Sequence, residues 1–206
     1  MAYWGPPFVP AEEQAARACR AALAKLDALG AVAARVPEVL GIRTGAPDID
    51  IRIGIATGPM IVGTVGSEES MNFTVLGDTV NLGSRLEGAC KNYGIRTLID
   101  EQTRDLAGDA VVTREIDLLR VKGRDDPERV FELVGRADQV DPDDTRIRRF
   151  EAGLAAYRQQ DWTAAVDAFE ACRALEDGGG PAAIFLERIA IFREKPPLED
   201  WDGVWT

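Results

Sequence analysis

The run Phe73-Thr-Val-Leu-Gly-Asp-Thr-Val-Asn-Leu-Gly-Ser-Arg-Leu-Glu87 holds the residues whose types and spacing are best suited to chemistry. Its second half reads as a helix from about Thr79 to Tyr93, with Asp78 as N-cap and Gly94 as C-terminal stop. Leu82, Leu86, Ala89 and Tyr93 form one apolar stripe. Asn81 and Arg85 stand four residues apart on an adjacent face, one above the other near the helix start. A helix N-terminus beside an arginine favours an anion, and a carboxamide next to it can orient polar oxygens. The pattern points to a phosphate-bearing ligand. It also describes a solvated helix face with Asn81 as a late cap, which is the commoner meaning of such spacing.

Other chemistries are removed by composition. The 206 residues contain no histidine, which excludes imidazole catalysis, His-based metal ligation and a Ser-His-Asp triad. A net charge of -11 repels a nucleic-acid backbone. Cys19, Cys90 and Cys172 are far apart and lie in helix-like text, so they read as small apolar core residues of a reducing compartment. No stretch reaches the roughly 18 apolar residues of a membrane span, and the N-terminus has no signal-peptide pattern.

The elements that must position the run are interleaved strands and helices. Helical periodicity covers Pro10 to about Val39, and residues 40–48 read as loop. Ile49, Ile51, Ile53 and Ile55 alternate with polar or small residues as in a half-buried strand. After the Gly58-Pro59 turn, Met60 to Val65 reads as a second strand, and a hairpin between the two is the simplest account. Further strands are expected at Phe73–Leu76, Arg96–Ile99, Val111–Val121 and Glu128–Val134, with Asp100 capping a short helix through Leu106. The expected class is α+β. Asp138–Asp144 reads as an acidic linker, and Ala-rich helix follows.

The Phe73–Glu87 run resembles the signature of class III adenylate/guanylate cyclases, which place an Asn and an Arg four residues apart after Gly-Asp-Thr-Val. Ile51 to Gly66 resembles the hairpin preceding that signature, Val121-Lys-Gly-Arg124 a late strand-to-turn motif, and Tyr3-Trp4-Gly5-Pro6 the end of an opening strand. The resemblance implies a ferredoxin-like cyclase sheet lacking its first strands over residues 1–136, an acidic linker at 137–149 and a helical tail at 150–206. It implies ATP as substrate and cyclic AMP plus pyrophosphate as products, made with two Mg or Mn ions. By motif, Asn81 would orient the ribose, Arg85 would stabilise charge on the phosphates and Lys122 would contact the terminal phosphates. Thr74 stands where many members carry a purine-reading aspartate, and a threonine there resembles the bicarbonate-responsive bacterial-type branch. As residues alone, Thr74 is also an ordinary β-branched strand residue and Lys122 also a solvated turn lysine.

The family's two metal-binding aspartates and its purine-reading lysine would fall before Met1. Asp48 and Asp50 read as a solvated strand end rather than a replacement. The expectation is an adenylate cyclase fragment that is inactive alone, marginally stable, and completed by a head-to-tail homodimer or a complementary cyclase chain. Its location would be cytoplasmic, with membrane attachment of a longer parent left open. The competing readings are a catalytically dead nucleotide- or partner-binding regulatory module and a helical-repeat scaffold. In the tail, Gly153, Tyr157, Trp162, Ala165, Phe169 and Cys172 resemble one tetratricopeptide (TPR) helix pair turning at Gln159–Trp162. A further helix is expected at Ala182–Phe192. Pro196–Trp201 reads either as an extended docking strip or as a frayed end.

Overall fold

The computed structural model describes residues 1–206 except 43–48, 68–69, 121–126, 177–178, 199 and 206. A long helix α1 (Gln14–Leu40) precedes strands β1 (Ile53–Ile55), β2 (Ile61–Ser67) and β3 (Ser70–Leu76). Helix α2 (Asp78–Tyr93), strand β4 (Thr97–Asp100), helix α3 (Glu101–Ala107), and strands β5 (Val111–Leu119) and β6 (Glu128–Arg136) follow. Helices α4 (Thr145–Arg158), α5 (Trp162–Arg173) and α6 (Pro181–Glu194) make up the tail.

Four strands form a sheet in the order β1-β4-β6-β5, with β1 parallel to β4 and the remaining pairs antiparallel. Alternation along the strands sends neighbouring residues to opposite faces. Ile99 and Phe131 join Cys19, Ala22 and Leu23 of α1, together with Ala107 of α3. Leu98 and Val130, next to them in sequence, join α2 and the tail helices on the other face. The sheet is therefore covered by helices on both sides, and the architecture is mixed α+β.

The expected hairpin between Ile49–Ile55 and Met60–Val65 does not form. Only Ile53–Ile55 is strand, and it runs parallel to β4, while β2 pairs with β3 as a separate antiparallel ribbon. Parallel pairing places β1 between two helices: Ile53 and Ile55 pack toward α1 while Gly54 meets α2. A hairpin would leave those isoleucines without that double cover. Tyr3-Trp4 is not strand either. Instead the Tyr3 ring lies 6.3 Å from Phe8 and 6.4 Å from Phe73.

Local signals hold where a single side chain decides an end. Asp100 caps α3 by accepting from Thr103 N at 2.9 Å, and Asp161 caps α5 through Ala164 N at 3.0 Å. The α4–α5 turn falls at residues 159–161, and Gly153 lets the helices close up, since a Cβ there would sit 2.8 Å from the Phe169 ring. The C-terminal segment folds back rather than fraying or standing free. Trp201 lies 5.3 Å from Tyr157 and 5.1 Å from Phe192, its indole donates to Val204 O, and Val204 is buried.

Candidate functional site

Helix α2 is set by close backbone packing at its N-terminal half. A Cβ on Gly54 would stand 2.1 Å from Gly83 O and 2.3 Å from Glu87 N, so only glycine lets β1 approach the helix this closely. Asp78 is not the N-cap. Gly77 holds that position at φ 147°, and its carbonyl accepts from Val80 N and Asn81 N. A glycine is required because a Cβ at that φ would be strained and would also press on Pro59 O at 3.2 Å. The buried Thr79 hydroxyl then donates to Pro59 O at 3.0 Å, tying the helix start to the turn that leaves β1.

With Leu82, Leu86, Cys90 and Tyr93 buried, the helix turns Asn81 and Arg85 outward, and both are exposed. Asn81 lines a cavity of about 740 Å³ between α1, the outer edge of β1 and α2; Ser84 and Glu87 continue that wall. Arg85 and Thr74 are not among its lining residues. Thr74 is half-buried on β3 opposite Gly63. Lys122 and its Val121–Arg124 motif lie outside the described residues. Thus Asn81, Arg85 and Thr74 all fall at the β3–α2 junction, and of the three only Asn81 faces the cavity.

The charged groups nearby are largely committed. Arg52 pairs with Glu87 at 3.5 Å across the cavity wall, and Asp50 pairs with Arg96 at 2.9 Å. Asp100 accepts from Thr57 N and Thr103 N, bracing the loop after β1. Burial raises its carboxyl above the usual range, against the lowering effect of those hydrogen bonds. Asp48 lies outside the described residues. Among the described residues, no three His, Cys, Asp or Glu side chains converge as a metal site. The donor set near Asn81 does not fit an Mg or Mn ion.

A model of the adenylate and guanylate cyclase catalytic domain matches residues 2–134. The chain belongs to this family. The terminal-differentiation-specific adenylate cyclase of Dictyostelium discoideum is 30% identical over 181 residues, 80% of this chain and 8% of that protein. Adenylate cyclase 1 of Rhizobium meliloti is 36% identical over 156 residues, 76% of this chain and 22% of that protein. The chain therefore spans less than a quarter of either relative. In structure it resembles the adenylyl cyclase CyaB from P. aeruginosa, with TM-score 0.53, 26% identity, and coverage of 67% of this chain and 68% of that one.

Within this cyclase-family domain, Asn81 and Arg85 lie on the outward face of α2. Gly54 and Thr79, which seat this helix, lie in the runs that carry the family resemblance, but the sequence pattern assigns neither a role in seating it. A lone glycine in an isoleucine-rich strand was the available signal for close backbone approach. Thr79 offered none, because its partner is a carbonyl 20 residues away.

Proposed function

We propose that this chain is the nucleotide-contacting half of an adenylate cyclase, acting when a complementary protomer supplies the metal-binding carboxylates. The observation that carries the reading is the outward placement of Asn81 and Arg85 on a helix whose opposite stripe is buried, with Asn81 at the cavity rim. Asn81 orients the ribose of ATP, so that its 3′-oxygen faces the α-phosphorus. The hydroxyl gives its proton to water as that oxygen forms the new bond to the α-phosphorus, the bond from the α-phosphorus to the oxygen bridging to the β-phosphate breaks, and pyrophosphate leaves. Arg85 offsets the charge gathering on the phosphates, Thr74 pairs with the purine edge through its hydroxyl, and Lys122 contacts the terminal phosphates. Carboxylates of the complementary protomer would hold Mg or Mn ions, which would add to the charge neutralisation that Arg85 and Lys122 provide.

The need for a partner is supported by the β2–β3 ribbon. Ile61, Met71 and Phe73 are 72%, 66% and 64% exposed, an apolar display that water does not favour on a two-stranded ribbon. Covering it by a second cyclase protomer in head-to-tail fashion suits both the ribbon and the incomplete site. The chain divides into a cyclase part at 1–136 and a TPR-like tail; the linker expected at 137–149 ends at Asp144, because α4 starts at Thr145. Three buried free thiols suit the reducing cytoplasm. No helix among the described residues is long and apolar enough to cross a membrane.

A second reading is a regulatory module that holds a nucleotide or a cyclase chain without catalysis; the placement of Arg85 and Thr74 outside the cavity that Asn81 lines favours it. One mixture separates the two. This chain is combined with a cyclase domain that keeps its metal aspartates but has alanine at its Asn and Arg, and cyclic AMP is measured with manganese and ATP. Activity only in the mixture supports the half-site. Silence from two folded chains supports the regulatory module.

A further inference from the structure

We infer that the helical tail holds the nucleotide-contacting helix in place, with Arg188 of α6 as a positioning residue acting through Asp117 and Tyr93. The inference rests on the assignment of Asn81 and Arg85 to the nucleotide. Arg188, Asp117 and Tyr93 are 8%, 1% and 2% exposed and come from α6, β5 and the last residue of α2. Arg188 Nη1 donates to Asp117 Oδ2 at 2.6 Å, the Tyr93 hydroxyl donates to the same oxygen at 2.6 Å, and Arg188 Nη2 lies 3.4 Å from Tyr93 Oη. Asp117 Oδ1 accepts from Leu118 N, and the guanidinium stacks over Phe185 and Trp205 at 4.8 and 5.3 Å. A carboxylate this deep is tolerated only while its cation stays.

Two further observations place the same junction under the tail's control. Gly94, which ends α2, abuts Gly180, which begins α6; a Cβ on Gly94 would be 4.0 Å from Gly180 N and Cα. The α2 stripe shares one apolar cluster with Phe150, Tyr157, Phe169 and Phe185 of the tail. Without the tail, α2 would keep its Thr79 and Gly54 contacts but lose much of the cover on its buried face. The likeness to the two curated relatives covers 80% and 76% of this chain, more than residues 2–134 can supply, so it extends past the cyclase match into the tail region.

The test compares the full chain with Arg188→Lys and with the double variant Asp117→Asn/Arg188→Met, which removes both charges instead of stranding one. Amide hydrogen exchange is read across α2, and ATP affinity is measured by calorimetry on the chain combined with the metal-bearing cyclase domain described above. In the double variant, α2 exchange should quicken and ATP binding weaken, each by about two- to thirtyfold. Arg188→Lys, which keeps the charge but not the planar fork, should fall between the two and gives the same ordering should the double variant not fold. Arg173→Ala, in an exposed pair with Glu170 on α5, should change neither. Unchanged α2 exchange in the variants would overturn the inference. Faster exchange with unchanged ATP affinity would overturn the positioning role. Wild type that binds no ATP would instead remove the nucleotide assignment, while the exchange arm still decides whether the tail holds α2.

Discussion

Replacing Gly54 with alanine tests whether the β1–α2 contact sets the site. The added carbon would lie 2.1 Å from Gly83 O and 2.3 Å from Glu87 N, both backbone atoms, so neither can swing aside. Reaching an ordinary 3.4 Å contact with Gly83 O requires the strand and helix to separate by roughly 1.3 Å. Over-packing of this kind costs about 1–3 kcal/mol, and two backbones in the way argue for the upper end. For a chain of this length that is a fall in Tm of about 6–12 °C. Gly88→Ala is the paired control. It lies on the same helix with nothing within 4 Å of a new Cβ, and should stabilise by about 0.5–1 kcal/mol through helix propensity alone. Urea unfolding followed by circular dichroism measures both. If Gly54→Ala stayed within about 0.5 kcal/mol of wild type, the close approach would not govern where α2 sits.

Three other outcomes follow from the same geometry. Arg85→Ala should cut turnover of the reconstituted enzyme by ~10²–10³ while the chain stays folded, and a loss under about threefold would end its assigned role. Asp100→Ala removes the α3 cap and the acceptor for Thr57 N, and should cost about 1–3 kcal/mol in the same unfolding assay. Burial pushes the Cys19 and Cys90 thiols up to about 12 and Cys172 to about 11, from an ordinary 9.0. The folded chain should therefore resist a disulfide reagent at pH 8 that modifies the urea-unfolded chain at once. Because unfolding frees thiols that ionise near 9, their contribution to stability should be steady between neutral pH and 9 and be lost as pH rises toward 12. Rapid labelling of the native chain would contradict that burial.

Sequence alone determined what depends on near neighbours. The stripe Leu82, Leu86 and Tyr93 dictated which face of α2 is buried, and so left Asn81 and Arg85 outward. Asp100 and Gly94 marked element ends because a cap and a left-handed stop act within a few residues. The family resembled by the Phe73–Glu87 run is the one whose model matches residues 2–134. Tertiary structure decided what depends on distant partners. The alternating isoleucines of Ile49–Ile55 have the same period whether the strand pairs with β2 or β4, and cover by α1 and α2 chose the parallel partner. Asp78 was the cap read from sequence, but Gly77 holds that position because its φ of 147° and the approach of Pro59 require a residue without a side chain. Arg188 and Asp117 are 71 residues apart, so no periodicity links them. Their pairing exists only because the sheet and tail share one buried face, where an isolated charge would be too costly to keep.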